Sequence, residues 1–259
     1  MDHFVKRPNR RADLQEMLDD PSVPIGTRKE LLIELDRSNR KFGTYQSFVQ
    51  RFHRFLEEGA LARLPVPCRI LEIGSGSGDL VHQISEWADA RGIAFEFHLM
   101  DIDPQILAWA QARLAQRGIS VHVHVAGDQH LAQFENGEFD FIYSMHVLHH
   151  IQPYERLKSA MHEAVRVARR GIFMVDFDRR FYGVTMARLW NRAHHIDKRI
   201  AKDGVISLRR AYSNREVRDL CRALQPTWQV RIDVMWPEPY FVLMLQKRSE
   251  AAQASGIAK

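Results

Sequence analysis

The 259-residue sequence predicts an α/β fold, in which strands and helices alternate along one chain. Two observations predict it. A short apolar strand ends at Ile73 and breaks into a glycine-rich turn that opens a helix. Further strand patterns follow, separated by helical segments, and this alternation is typical of a parallel sheet with helices on its faces. With 45% apolar residues, such a chain can bury a substantial core.

Three helices are predicted before the sheet, at about residues 11–19, 27–39 and 44–58, with Pro21 and Pro24 separating the first two. The last two helices carry apolar stripes, which consist of Leu31, Leu32 and Leu35 and of Phe48, Phe52, Phe55 and Leu56. Such stripes either pack on the core or form a cap over the opening of a site.

The sheet and its helices are predicted in the remainder of the chain. Strands are expected at residues 71–73, 95–100, 121–125, 138–144, 171–176, 227–234 and 240–247, and helices at 77–91, 104–117 and 153–168. The predicted organisation is a helical extension at 1–60, a main domain at 61–249 with an insertion at 178–212, and a disordered tail at 250–259.

The glycine-rich turn predicts a cofactor site. Gly74, Gly76 and Gly78 can take positive φ angles, and the helix that follows offers unpaired N–H groups to a ligand. A nucleoside-containing cofactor is the expected guest. The dinucleotide fingerprint would need a glycine at position 79, where the sequence has Asp79, and a carboxylate there would oppose a pyrophosphate. The turn therefore favours a cofactor without phosphates.

Four segments, in order, resemble the class I S-adenosylmethionine-dependent methyltransferases. They are Glu72 with the three glycines, the strand end at Asp101, the segment at Asp128 and the strand that ends at Ser144. The resemblance implies a Rossmann-like, seven-stranded, mostly parallel sheet with helices on both faces, and S-adenosyl-L-methionine as the cofactor. The N-terminal helical extension and the helical insertion after strand five are additions to that core.

The resemblance also implies roles for single residues. Asp101 would accept hydrogen bonds from the ribose diol, and Asp128 would accept one from the adenine amino group. Asp103, followed by Pro104, is predicted to cap the next helix instead. The full predicted cofactor-binding set is Glu72, Gly74, Ser75, Gly76, Gly78, Asp101, Ile102, Asp128, Gln129 and Ser144.

Histidines follow the fourth strand, where the resemblance places the methyl acceptor against the cofactor. His146, His149 and His150 are the candidate catalytic residues. Methyl transfer from a sulfonium depends mainly on positioning, and a base is needed only when the acceptor is protonated, as a phenol is. At least one of the three is expected to be structural. His194 and His195, in the insertion, are rival candidates for the base.

Missing motifs argue against several reaction classes. The end of the fourth strand lacks the Asn/Asp-Pro-Pro-aromatic motif of many amino-group methyltransferases. Cys68 and Cys221 lie away from the fourth and fifth strands, so neither is placed to methylate carbon 5 of a pyrimidine, and together they form neither a disulfide framework nor a metal motif. Asp176 and Asp178 could be recruited by a metal, but no metal is predicted.

The insertion is both basic and apolar, and three interpretations compete for it. Between Asp178 and Arg218 the sequence has eleven arginines and lysines against four acidic residues. The segment could bind nucleic acid, contact a membrane surface or lipidic substrate, or be solvated with its apolar face buried on the core. If it contacts substrate, it would act as a lid.

We therefore predict an enzyme that methylates oxygen on a hydroxylated aromatic, polyketide-like or lipidic small molecule. The alternatives are a carbon methyltransferase of the quinone-biosynthesis type, an RNA-binding methyltransferase and a non-catalytic cofactor-binding protein. No stable nucleic-acid complex is expected, while a peripheral membrane contact and the oligomeric state stay open. The two cysteines, and the lack of a targeting or membrane-spanning pattern, indicate the cytoplasm.

Overall fold

A computed structural model describes residues 14–58, 64–125, 131–224, 227–235 and 238–248. Asp128 and Gln129 of the predicted cofactor-binding set lie outside these residues, as does the predicted tail.

Seven strands form one mixed sheet, in the order β3-β2-β1-β4-β5-β7-β6. They are β1 (Cys68–Ile73), β2 (Phe95–Asp101), β3 (Val121–Val125), β4 (Phe139–Met145), β5 (Ala168–Phe177), β6 (Trp228–Val234) and β7 (Tyr240–Lys247). The first five strands are parallel, and β7 pairs antiparallel with β5 and β6. The predicted fold class is confirmed. The strand order reverses between β1 and β4, and open α/β sheets bind ligands at such a point.

The described residues form eight α-helices. They are α1 (Ile25–Lys41), α2 (Thr44–Glu58), α3 (Asp79–Asp89), α4 (Pro104–Ala115), α5 (Tyr154–Val167), α6 (Gly183–Ala193), α7 (Lys198–Arg210) and α8 (Asn214–Cys221). Asp103 caps α4 as predicted, because its carboxylate accepts from the N–H groups of Gln105 (2.9 Å) and Ile106 (3.3 Å).

Apolar clusters cover both faces of the sheet, because successive residues of a strand point to opposite sides. In β1, Ile70 belongs to the cluster that contains α2, α3 and α4, whereas Leu71 belongs to the cluster that contains α5 and α8. The helices are thus held on the two faces by the period-two alternation of the strands.

The aromatic stripe of α2 packs on the sheet. The rings of Phe48, Phe52 and Phe55 lie 5.0, 5.4 and 5.5 Å from the ring of Phe173 in β5. Gly171, also in β5, leaves the room for this contact, since a Cβ there would lie 2.6 Å from Cζ of Phe55. The stripe of α2 is therefore buried on the core.

The structure differs from the prediction before α1. Instead of a helix over residues 11–19, the described part contains one turn of 3₁₀ helix at Met17–Asp19. Glu16 and Asp19 turn toward His149 and His150, beyond the end of β4. Long-range contacts of acidic side chains thus prevail here over local helical preference.

The insertion after β5 contains α6 and α7, which pack on each other. α7 buries Ile206 and Leu208 and also contacts α1, whereas α6 buries only Gly183. Among the described residues, no helix has the length and apolar character needed to cross a membrane.

Candidate active site

The glycine turn after β1 is shaped by steric limits at two of its glycines. Gly74 has φ +68°, and a Cβ there would lie 2.5 Å from the side chain of Val147, beyond β4. Gly78 has φ +73°, and a Cβ there would lie 2.9 Å from Leu114 of α4. Side chains at these positions would be strained and would clash. The glycines therefore let the turn lie against both the end of β4 and α4.

Asp101, at the end of β2, faces this turn. Its Oδ2 accepts from the N–H of Gly76 at 2.8 Å, and its Oδ1 accepts from the N–H of Asp103 at 3.1 Å. Burial raises the pKa of its carboxyl, while these backbone bonds oppose the rise. Each oxygen has two lone pairs, so the carboxylate can still accept from a diol. The geometry is compatible with the predicted ribose contact.

Three buried polar atoms lie near the turn without a hydrogen-bond partner among the described residues. They are Oγ of Ser75, Oγ of Ser144 and Nε2 of His146. Ser75 is in the turn, and Ser144 is paired in register with Ile73 at the ends of β4 and β1. Buried polar atoms are nearly always hydrogen-bonded in folded proteins. These atoms mark a place where a polar ligand would supply the missing partners.

The other predicted cofactor residues have different surroundings. Glu72 is buried, and burial raises the pKa of its carboxyl well above the ordinary range. Its Oε2 accepts from the hydroxyl of Tyr143 at 3.5 Å. Ile102 is 70% exposed, next to Asp101. Of the two, only Ile102 offers an open apolar surface to a ligand.

His146 is held rigidly at the end of β4. Its backbone has φ +59°, and its N–H donates to the carbonyl of Val175 at 2.8 Å. Its ring contacts the rings of Phe177 (4.6 Å) and Tyr240 (5.1 Å), which also contact each other, so the three rings form a compact cluster. Burial lowers the pKa of His146 to about 4, so the imidazole is neutral at physiological pH. A neutral ring with an unpartnered nitrogen is able to accept a proton.

His149 has the opposite environment. Its Nδ1 lies 2.7 Å from Oδ1 of Asp176, and its Nε2 lies 3.4 Å from Oε1 of Glu16. Burial alone would lower its pKa, but the two carboxylates prevail and raise it to about 9. His150 also meets a carboxylate, since its Nδ1 lies 2.8 Å from Oδ2 of Asp19. The structure thus separates His146 from His149 in charge, and from both neighbours in contacts.

The acidic residues before α1 complete this network. Arg210 of α7 lies 2.5 Å from Asp19 and 3.6 Å from Glu16. Asp203 of α7 accepts from the N–H of Met17 at 3.1 Å. Neither Glu16 and Asp19 nor Phe177 and Tyr240 beside His146 were among the site residues predicted from the sequence. Only the acidic character of residues 16–20 in a basic N-terminal region could have drawn attention to the first pair.

α1 lies over the glycine turn. Its Asp36 accepts from the hydroxyl of Ser77 in the turn at 2.8 Å. Leu32 is so close to Gly76 that a Cβ there would lie 3.3 Å from its Cδ2. Arg28 forms an ion pair with Asp103, just beyond β2. This helix therefore lies against the turn, while a role as a cap over the opening of the site stays a prediction.

Asp79 is compensated by arginines. Its buried carboxylate pairs with Arg40 of α1 and lies 3.6 Å from Arg113 and 3.5 Å from Arg117. The expectation that it would repel a pyrophosphate is weakened, because its charge is balanced. The spacing argument against the dinucleotide fingerprint is unaffected.

The carboxylates considered for a metal are engaged by protein donors. Asp176 accepts from His149 and from the N–H of Phe177 at 2.6 Å. Asp178 accepts from Arg180 at 2.8 Å and from the N–H of Asn214 at 3.1 Å. Both side chains therefore have structural roles at the carboxyl end of β5.

Part of the chain matches a known protein family. Residues 70–171 match the family profile described as "Methyltransferase domain". This segment is therefore a methyltransferase domain, and the enzyme uses S-adenosyl-L-methionine. The resemblance to S-adenosylmethionine-dependent methyltransferases, the predicted enzyme class and the predicted cofactor are confirmed. A search of curated proteins finds no match to this methyltransferase.

Solved structures share the fold of this methyltransferase at low sequence identity. A SAM dependent methyltransferase from Aquifex aeolicus is 15% identical, with TM-score 0.52, and the match covers 76% of this chain and 89% of that one. The citrinin polyketide synthase CMeT domain is also 15% identical, with TM-score 0.56, and the match covers 76% of this chain and 52% of that one. The plantazolicin methyltransferase BpumL, solved with a monoazolic desmethylPZN analog and SAH, is 14% identical, with TM-score 0.57, and the match covers 86% of this chain and 98% of that one. These similarities concern the fold alone.

The residues of the methyltransferase fit its cofactor. The glycine turn, which a side chain at Gly74 would fill, gives a ligand access to backbone groups. Asp101 offers carboxylate oxygens, and the hydroxyls of Ser75 and Ser144 are free to bond polar groups of the ligand. All four residues lie at the carboxyl ends of β1, β2 and β4, where the fold class places its ligands.

Proposed function

We propose that this methyltransferase transfers a methyl group to a hydroxyl oxygen of a hydroxylated aromatic, polyketide-like or lipidic small molecule. The observation that carries the proposal is His146. Its ring is neutral and fixed at the end of β4, and its Nε2 has no partner among the described residues. A protonated acceptor such as a phenol needs a proton acceptor beside it, and a neutral imidazole offers one, although its lowered pKa makes it a weak base.

The chemistry requires few side chains. S-adenosyl-L-methionine, when bound, supplies a methyl group attached to a sulfonium. In the transfer, Nε2 of His146 would take the proton of the acceptor hydroxyl. The contacts of the ring with Phe177 and Tyr240 hold that nitrogen in one direction. Positioning of this kind is the main source of rate for a displacement with a good leaving group.

The same aromatic residues favour a flat, apolar acceptor. The rings of Phe177 and Tyr240 lie 5.0 Å apart and both contact His146, so an acceptor that reaches Nε2 meets aromatic surface. Burial raises the pKa of the Tyr240 hydroxyl, which keeps it neutral and able to donate a hydrogen bond. These features support an aromatic hydroxyl more than a highly charged acceptor.

His149 and His150 take a supporting role in this proposal. An imidazolium has no lone pair with which to accept a proton, and the carboxylates of Asp176 and Glu16 favour the charged form of His149. His149 instead ties β4 to β5 and to the segment before α1. Of the three predicted catalytic histidines, we therefore assign the base to His146 alone.

The test is methyl transfer to a panel of phenols by His146→Asn, because asparagine tolerates positive φ but has no basic nitrogen. We expect kcat to fall by roughly 10²–10⁴-fold while the affinity for S-adenosyl-L-methionine is kept. The matched control is His162→Asn, since His162 is an exposed histidine of α5. As the pH is lowered, kcat/KM should fall near pH 4, because the pKa of His146 is about 4 and its protonated ring cannot accept a proton.

Three outcomes would overturn the assignment. An unchanged kcat in His146→Asn would remove the base role. A product methylated on carbon, identified by NMR, would favour the quinone-type alternative, for which a neutral base at an enolisable carbon would serve equally well. Transfer to bulk RNA with none to phenols would favour the RNA-binding alternative.

A further inference from the structure

We propose that α6 docks this protein on an anionic lipid bilayer, with the apolar side chains of the helix entering the bilayer and its arginines meeting the lipid headgroups. The bilayer would be the source of a lipidic acceptor, and to that extent the inference rests on the proposed function. The docking itself concerns a surface of the insertion rather than the base.

α6 presents its apolar residues to solvent. Phe181, just before the helix, is 79% exposed, and within the helix Leu189 is 61%, Trp190 50% and Met186 44% exposed. Positions 186, 189 and 190 have i, i+3 and i+4 spacing, so these three side chains share one face. A helix on a globular protein ordinarily turns such a face to the core, whereas α6 buries only Gly183. A contiguous apolar patch of this kind marks an interaction surface.

The same part of the molecule carries uncompensated positive charge. Five exposed cations of the insertion form no ion pair with any of the described residues: Arg188, Arg192, Lys198, Lys202 and Arg209. Other arginines of the insertion are neutralised, since Arg180 pairs with Asp178 and Arg199 with Asp197. Two of these cations, Arg188 and Arg192, lie on α6 itself, and the other three lie on α7, which packs against it.

This combination favours a bilayer over other partners. An amphipathic helix with Trp, Phe and Leu on one side and arginines beside them is suited to lie in the interface of an anionic membrane. RNA would use the cations but has no need of exposed Leu189 and Met186. A second copy docked through the same face would bring the basic residues of both copies together across a two-fold axis.

The position of α6 links this surface to the active site. The helix begins at Gly183, shortly after Phe177, whose ring stacks on His146. Trp190 lies 5.3 Å from Phe42, which directly follows α1. A bilayer on α6 would thus lie beside the elements that surround the acceptor site.

The test is co-sedimentation of the full chain with vesicles of phosphatidylcholine alone, or of equal parts phosphatidylcholine and phosphatidylglycerol. We expect strong binding only to the anionic vesicles. Arg188→Glu with Arg192→Glu should weaken it at least roughly tenfold, since each basic residue near an anionic surface contributes measurably. Leu189→Ser with Trp190→Ser should weaken it similarly, because apolar burial is lost.

Matched controls lie elsewhere on the surface. Val66→Ser removes an apolar side chain that is 85% exposed, and Lys158→Glu with Arg222→Glu reverses two exposed charges on α5 and after α8. Both controls should bind vesicles nearly as the wild type does. Circular dichroism would show that every variant is folded.

Several results would overturn the docking. The docking is wrong if the wild-type protein does not sediment with the anionic vesicles, or if the α6 variants sediment as the wild type does. It is also wrong if the protein binds RNA but not vesicles, or if it forms a dimer that Leu189→Ser with Trp190→Ser dissociates. Vesicle binding is measured without an acceptor, so its failure is separate from that of the proposed reaction. A protein that methylates soluble phenols but does not bind vesicles would contradict the docking alone. A protein that binds anionic vesicles but does not methylate phenols would contradict the reaction alone.

Discussion

At the scale of single residues, environment gives two histidines opposite charge states. His146 is buried against the rings of Phe177 and Tyr240, so burial favours its neutral form. His149, three residues later, meets the carboxylates of Asp176 and Glu16, which favour its charged form. Two identical side chains are thereby suited to different tasks, one to accept a proton and the other to bind elements together.

The charged state of His149 predicts a pH-dependent stability. Its pKa is raised from the ordinary 6.5 to about 9, so its contribution is complete below pH 6.5 and is lost as the pH rises through 9. We expect the free energy of unfolding to fall by about 3 kcal/mol over that range. Urea unfolding at a series of pH values measures it.

His149→Gln should abolish this slope, whereas His162→Gln, on the surface of α5, should keep it. His146 contributes nothing over the same range, because with a pKa of about 4 it is neutral throughout. A slope that persists in His149→Gln would show that another group titrates.

At the scale of elements, α2 is the part of the N-terminal extension that holds the fold together. Its three phenylalanines meet Phe173 in β5, and Gly171 gives them room. α1, by contrast, contacts the turn through Leu32 and Asp36 and meets α4 through Arg28 and Asp36. One helix of the extension thus provides core stability, and its neighbour lies against the glycine turn.

The packing of α2 predicts a large loss of stability in Phe52→Ala. The side chain is fully buried, and its removal leaves a cavity next to Phe173, so we expect a loss of about 3–5 kcal/mol in the free energy of unfolding. Gln50→Ala, at an exposed position of the same helix, should change it by less than about 0.5 kcal/mol. Chemical denaturation compares the two. Equal effects would mean that α2 is not integral to the core.

At the scale of the whole molecule, the sheet gathers the site from distant parts of the chain. The glycine turn, Asp101, Ser144 and His146 follow β1, β2 and β4, which are neighbours in the order β3-β2-β1-β4-β5-β7-β6. Parallel strands end at the same edge, so residues far apart in sequence converge there. A cofactor bound at this edge would contact several elements at once in the folded protein. In the unfolded chain these elements are apart, so the cofactor has no such site.

Cofactor binding should therefore stabilise the entire fold. At a concentration a hundred times its Kd, S-adenosyl-L-methionine is expected to add about 2.7 kcal/mol, seen as a raised Tm in a thermal-shift assay. Asp101→Ala should lose most of this gain, because the ribose diol loses its acceptor. Asp89→Ala, an exposed residue at the end of α3, should retain it. An undiminished shift in Asp101→Ala, confirmed by calorimetry, would refute the ribose role.

Much of the fold was predictable from local pattern. The seven strands, the α2 boundaries and the Asp103 cap correspond to periodicity and capping chemistry, which act over a few neighbouring residues. The described part of the helix predicted at 11–19 was predicted wrongly, because the acidic side chains of Glu16 and Asp19 bind histidines more than 120 positions away in the chain. No local pattern contains such a contact.

By itself the sequence determined the α/β class, the glycine turn and the identity of the cofactor. The spacing of the glycines and acidic residues, and the backbone freedom of glycine, depend only on residues that are close together in the chain. Only the tertiary structure decided which histidine is neutral, that α1 lies against the turn, and that α6 turns its apolar face outward. The physical reason is that charge state and exposure depend on what lies nearby in space, and here those neighbours come from other strands and helices.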